Sequence, residues 1–115
     1  MTVTIFHNPG CGTSRNVLAA LCDGGHAPQV VEYLKAGWTQ AQLADLFAKM
    51  GVTARQMLRT KGDLAGELGL TDPTVGEAAI LRAMVAHPVL VERPIVITPK
   101  GVFLCRPADR LAAAL

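Results

Sequence analysis

With 115 residues, half of them hydrophobic, the chain is long enough for one real core, too short for two, and too apolar to be disordered. A formal charge of +2, with no Lys/Arg run and no aromatic interleaving, argues against nucleic acid as a partner. No basic segment leads a long apolar stretch at the N-terminus, and no window approaches ~18 uninterrupted apolar residues, so neither a secretory leader nor a membrane span is expected. The chain is read as one cytoplasmic domain over residues 1–115.

Residues 2 to 6 set Val3 and Ile5 against Thr2 and Thr4, the period of a strand. It leads into residues 7 to 15, His-Asn-Pro-Gly-Cys-Gly-Thr-Ser-Arg. From Thr13 onward Val17, Leu18, Leu21 and Cys22 recur at helical spacing, and Asp23-Gly24-Gly25 stops the helix. Val30, Val31 and Tyr33 predict a second strand ending near Gly37, and with it a right-handed βαβ unit of parallel strands. Thr39 with Gln42, Thr53 with Gln56 and Thr74 with Glu77 have the spacing of capping boxes and predict helix starts.

Leu43, Leu46, Phe47 and Met50 line one face of the first of these helices, and Ile80, Leu81, Met84 and Val85 line a face of another. Both faces are expected to pack on the sheet. His87-Pro88 reads as a helix stop. Ile95 to Thr98 and Val102 to Cys105 flank Pro99-Lys100-Gly101, the turn chemistry of a hairpin, and a short Ala/Leu helix follows. The order predicts an α/β fold: a small mixed β-sheet, built from a βαβ unit plus a C-terminal β-hairpin, with a helical insertion.

Cys11 falls at the strand-to-helix junction. Unsatisfied N–H groups and the positive end of the helix dipole face outward there and stabilise a thiolate, the reactive form of cysteine, or a bound oxyanion. Gly10 and Gly12 leave room for a tetrahedral substrate to approach the sulfur. Cys11 is the candidate nucleophile. Cys22, on the apolar side of the first helix, and Cys105, in the last strand, lack that setting and are read as buried structural thiols. The three cysteines form neither a CxxC pair nor a ligand cluster, and the three histidines have no ligand spacing, so no metal and no disulfide framework is expected. Asp63, Glu67 and Glu92 are read as solvated or ion-paired, since nothing in their spacing indicates paired-carboxylate catalysis.

The segment HNPGCGTSRN resembles the signature of the glutaredoxin-linked arsenate reductases. Further matches follow in order in MLRTKGDLAGELGL (57 to 70), HPVLVERPIVITPKG (87 to 101) and LCRP (104 to 107), so the resemblance covers nearly the whole chain. It implies a thioredoxin-like fold and the reduction of arsenate to arsenite through a Cys11 thiolate and a cysteine-bound arsenate intermediate. Glutathione would serve as co-substrate and glutaredoxin as partner, with no bound cofactor. By the same resemblance His7 helps to depress the nucleophile's pKa, an effect a protonated imidazole would have by favouring the anion. Ser14 and Arg15 take supporting positions in the loop, and Arg59, Arg93 and Arg106 bind the oxyanion, for which the planar guanidinium fork is suited. Arg93-Pro94 matches the place where thioredoxin-like folds carry a cis proline facing the active thiol.

Other readings stand beside this one. A phosphatase-like Cys-x5-Arg loop is excluded, because Val17 occupies the sixth position after Cys11. A glutaredoxin-like disulfide oxidoreductase is disfavoured by Ser14, which stands where a resolving cysteine would. The alternatives kept are a short family member acting as a thiol oxidoreductase on another substrate, and a thioredoxin-fold regulator that binds a protein. Two departures from the family pattern bear on these: Gly10 replaces a common alanine, and many members carry a C-terminal extension beyond the position of Leu115.

Overall fold

A computed structural model describes residues 2–115, which group into two compact units. The first comprises the residues up to Ala36 together with Arg93–Leu115, and the second is Gly37–Glu92.

The first unit holds strands β1 (Thr4–His7), β2 (Gln29–Glu32), β3 (Ile95–Thr98) and β4 (Gly101–Leu104) in one sheet ordered β2-β1-β3-β4. β1 pairs parallel to β2, with Thr4 opposite Gln29 and His7 opposite Glu32, and antiparallel to β3. β3 and β4 pair antiparallel with Thr98 opposite Gly101, which leaves a two-residue connection of Pro99 and Lys100. Gly101 closes that turn at φ +144°, a conformation side chains disfavour. The parallel β1/β2 pair and the hairpin are the elements expected from the sequence.

Helix α1 (Gly12–Asp23) crosses between β1 and β2 and buries Ser14, Val17 and Leu21, a stripe at helical spacing. Val17 and Leu21 pack with Val3 and Ile5 of the β1 segment, Val96, Cys105, and Leu111 and Ala114 of the last helix, α7 (Leu111–Ala114). Side chains alternate along a strand, so His7 shares the face of Val3 and Ile5 and looks toward the same stripe as Ser14. That parity is what brings the two polar side chains together inside an apolar layer. Thr98 donates its hydroxyl to the Ala114 carbonyl at 2.7 Å and accepts from the Lys100 amide at 3.1 Å, which ties α7 to the hairpin.

Two expectations are corrected here. Cys22 is exposed, because the buried stripe runs through positions 14, 17 and 21 and position 22 lies about 100° further round the helix. Tyr33 is not in the second strand: β2 ends at Glu32, opposite the last residue of β1, and the chain turns into a helical turn, α2 (Tyr33–Ala36), in which Tyr33 is buried. The strand has no ladder to join beyond that point on β1.

In the second unit α3 (Gln40–Met50) starts where Thr39 accepts from the Gln42 amide at 3.0 Å and ends at left-handed Gly51. α4 (Ala54–Met57) carries the full capping box of Thr53 and Gln56, a device that stabilises a helix start by about 1 kcal/mol. α5 (Leu64–Glu67) and α6 (Glu77–Ala86) follow. The expected box at Thr74 and Glu77 does not form. α6 starts at Gly76, Asp72 takes both the amide and the hydroxyl of Thr74 at 2.8 and 2.7 Å, and the Glu77 carboxylate accepts from the Ala54 amide at the start of α4. The apolar faces expected to pack on the sheet meet within this unit instead: α6 packs on α3 and α4, burying Leu43, Leu46, Phe47, Ile80, Leu81 and Met84. Val85 is exposed. Arg55 binds the carbonyls of Leu70, Asp72 and Val75 at 3.4, 3.1 and 2.6 Å and so holds the loop between α5 and α6.

Candidate active site

β1 ends at His7, and the next four residues form a tight turn before α1 begins at Gly12, with Cys11 as its N-cap at φ −100°, ψ 122°. The Cys11 amide donates to the Asn8 carbonyl at 3.0 Å, and the Gly10 amide donates to the Asn8 side-chain oxygen at 2.9 Å. Pro9 and Gly10 are the central residues of this turn, as turn chemistry favours. The Cys11 side chain supplies no cap, so its sulfur sits at the helix start unengaged by the capping role. It is 7% exposed.

Two arginines come from the residues just before β3 and just after β4, at the end of the sheet where β1 finishes. The Arg93–Pro94 peptide is cis, as expected, and so is Arg106–Pro107, which was not. The Cys105 amide donates to the Pro94 carbonyl at 3.0 Å, extending the β3/β4 pairing to the residues beside both prolines. Arg106 Nη1 then lies 3.7 Å from Cys11 Sγ and 3.4 Å from the Arg93 carbonyl, and Arg93 itself is buried.

These surroundings set the acidity of the thiol. Burial pushes the Cys11 pKa up, but the Ser14 backbone amide and the guanidinium groups of Arg93 and Arg106 together outweigh it and hold the pKa at about 7. Cys105 shows the contrast: fully buried in the core with no such donors, its thiol is pushed up to about 11. Alkylation of Cys11 by iodoacetamide is therefore expected to follow a titration with its midpoint near pH 7, below the ~8.5 of a free cysteine, and to fall about tenfold per pH unit on the acid side. A midpoint at the free-cysteine value would remove the electrostatic account.

His7 is buried, and its Nδ1 shares a hydrogen bond of 2.7 Å with Ser14 Oγ, which also accepts from the Asn8 amide at 3.1 Å. Burial lowers the His7 pKa, Glu32 opposes this, and Arg15 adds to it. That direction works against the protonated imidazole expected of His7, whose ring bonds Ser14 Oγ while the Ser14 backbone amide donates to Cys11. Arg15 donates to the Pro9 carbonyl at 2.7 Å and clips the turn from outside.

Arg59 belongs to the second unit. Its amide donates to the Leu90 carbonyl at 2.7 Å and the Glu92 amide donates to the Met57 carbonyl at 2.9 Å, around a bridge pairing Leu58 with Val91. The two side chains, mostly buried, meet with Nη1 of Arg59 3.5 Å from the Glu92 carboxylate. Thus His7, Ser14, Arg15, Arg93 and Arg106 gather around the Cys11 loop, while Arg59 is seen paired with Glu92. Asn8 was missed at the sequence level, although an Asn-Pro-Gly turn just before a nucleophile was a legible signal for a side-chain-braced loop. No group of three or more His, Cys, Asp or Glu side chains is placed to hold a metal among the described residues.

The ArsC family matches residues 6–114. The chain belongs to that family. It is 56% identical over 107 residues to arsenate reductase ArsI2 of Synechocystis, across 93% of this chain and 76% of that relative. It is 50% identical over 109 residues to an arsenate reductase of Rhizobium meliloti, across 95% of this chain and 78% of that protein. The solved arsenate reductase from Vibrio cholerae superposes with a TM-score of 0.94 at 39% identity, covering 100% of this chain and 98% of that one. The fold of this ArsC member is thioredoxin-like, as expected. None of its helices among the described residues is long and apolar enough to cross a membrane.

Proposed function

We propose that the chain is an arsenate reductase that draws its electrons from glutathione and glutaredoxin. The observation that carries this reading is the Cys11 sulfur at a helix start with a guanidinium 3.7 Å away, in a chain of the ArsC family. A thiolate with a cation and backbone donors beside it is a nucleophile already facing the charge an oxyanion brings.

In this reading the Cys11 thiolate attacks arsenic. An S–As bond forms and one oxygen leaves as water, with arsenic still pentavalent. Arg93, Arg106 and, by family resemblance, Arg59 hold the remaining oxygens through charge-assisted hydrogen bonds. The glutathione thiolate then attacks Cys11 Sγ, the S–As electron pair goes to arsenic, and arsenite leaves as the two sulfurs join. A glutaredoxin thiol takes the glutathione moiety from this mixed disulfide and restores Cys11. Ser14 supplies no second thiol, which supports an external reductant.

The test is arsenate-dependent NADPH consumption in a system of glutathione, glutathione reductase and glutaredoxin. Turnover that requires all three and arsenate is expected. Without arsenate-dependent consumption the proposal fails, and a thiol oxidoreductase or protein-binding role takes its place. Intact mass measured after one turnover without glutaredoxin is expected to show a single glutathione adduct on Cys11, whereas a Cys11–Cys105 disulfide would overturn the external-thiol step.

A further inference from the structure

We propose that Asn8 is the positioning residue of the nucleophile loop, its side-chain oxygen bracing the turn that sets Cys11 at the N-cap of α1. Asn8 is buried, 6% exposed as a whole residue, and its polar interactions are directed at the loop and the helix start. Its Oδ1 accepts from the Gly10 amide at 2.9 Å, its carbonyl accepts from the Cys11 amide at 3.0 Å, and its own amide donates to Ser14 Oγ at 3.1 Å. One residue thereby ties the end of β1 to the turn, to the nucleophile and to the first turn of the helix.

The chemistry follows from which amides Asn8 occupies. The Gly10 and Cys11 N–H groups both point back to Asn8, so the sulfur's backbone donor comes from the helix side, and Ser14 is that donor. If the turn loosened, Sγ would lose its register with both the Ser14 amide and the Arg106 guanidinium, since hydrogen bonds weaken steeply with distance and angle. The fit is close: a Cβ built on Gly10 would lie 3.3 Å from Asn8 Oδ1. Asparagine suits the position because its side chain mimics a backbone turn by bonding to the amide two residues on, which serine does more weakly.

This inference rests on Cys11 being the reactive thiol, and it is tested without arsenate so that an inactive reductase does not decide it. The full chain and its Asn8→Ala and Asn8→Ser variants are alkylated with iodoacetamide across pH, and adducts on Cys11 are quantified by mass spectrometry. Asn8→Ala is expected to raise the midpoint by about one pH unit, lowering the rate at pH 6 about tenfold, and Asn8→Ser to recover part of that shift. A folded Asn8→Ala protein with the parental midpoint overturns the proposal, as does a shift in which serine and alanine are equivalent. If the variants do not fold, amide hydrogen exchange in the parent decides: protection of the exposed Gly10 amide is expected, and exchange at the rate of an unstructured loop overturns it.

Discussion

Cys11→Ser is expected to lower arsenate reduction by at least about 10³-fold, to background, because the reaction needs a group that is both anionic near neutral pH and strongly nucleophilic. The site holds the Cys11 thiol at a pKa of about 7, so half of it is thiolate there; a serine hydroxyl in the same place stays protonated. The two other cysteines are expected to be dispensable, for different reasons. Cys22 is exposed on α1, eleven residues from Cys11, and at ~1.5 Å per residue that is ~16 Å along a helix, beyond the ~7 Å between Cα atoms that a disulfide allows. Cys105 is fully buried with its thiol pushed up to about 11, so it offers almost no thiolate to arsenic or to a disulfide. Cys22→Ser and Cys105→Ala should retain most of the turnover, alanine being chosen at 105 because a hydroxyl in that apolar core would carry a desolvation cost. Activity that survives Cys11→Ser, or disappears with Cys22→Ser in a folded protein, would reassign the nucleophile.

What was legible in the sequence was local. The strand period before His7, the helical stripe of Val17 and Leu21 and the turn residues Pro99 to Gly101 are set by neighbours a few positions away, and each element formed, with strand ends moved by one or two residues: β1 is Thr4–His7 where 2 to 6 was expected, and β4 is Gly101–Leu104 where Val102 to Cys105 was expected. Cys11 was visible for the same reason, since a Pro-Gly-Cys-Gly run between a strand and a helix fixes the sulfur's setting within a few residues. Several of the corrections involve partners far along the chain. Tyr33 has strand propensity, but β2 stops where β1 ends, a fact about a different segment. Thr74 and Glu77 have capping-box spacing, yet Asp72 captures the threonine and Ala54, 23 residues away, captures the glutamate. The misplacement of Cys22 came from treating the apolar face as wider than the Ser14–Val17–Leu21 stripe that is buried. The electrostatics were the least legible part. The direction of the His7 shift depends on its burial, and the approach of Arg106 to Cys11 spans 95 residues of sequence.

Arg106→Ala is expected to have the largest effect of any substitution that leaves the nucleophile in place, about 10²–10³-fold on kcat/KM for arsenate, the range seen when one donor to developing negative charge is removed. The guanidinium donates to Cys11 Sγ at 3.7 Å and to the Arg93 carbonyl at 3.4 Å, so it serves the thiolate while being held against the backbone beside the other site arginine. Its loss also removes one of the contributions that lower the Cys11 pKa, and the sign follows: with burial still acting to raise it, the midpoint of alkylation moves up and the thiolate fraction below pH 7 falls. The two readouts separate the roles. A rise in midpoint that accounts for the whole rate loss at pH 7, and vanishes at pH 9, would confine Arg106 to activating the thiol, whereas a loss persisting at pH 9 places it on the oxyanion as well. The second pattern is expected, because a planar fork can hold the sulfur and an incoming oxygen through different N–H groups at once. Arg106→Lys should then fall between the parent and Arg106→Ala: the ammonium keeps the charge and with it much of the thiolate, but not the fork that spans two acceptors. An Arg106→Ala protein within threefold of the parent in both readouts would take Arg106 out of the reaction.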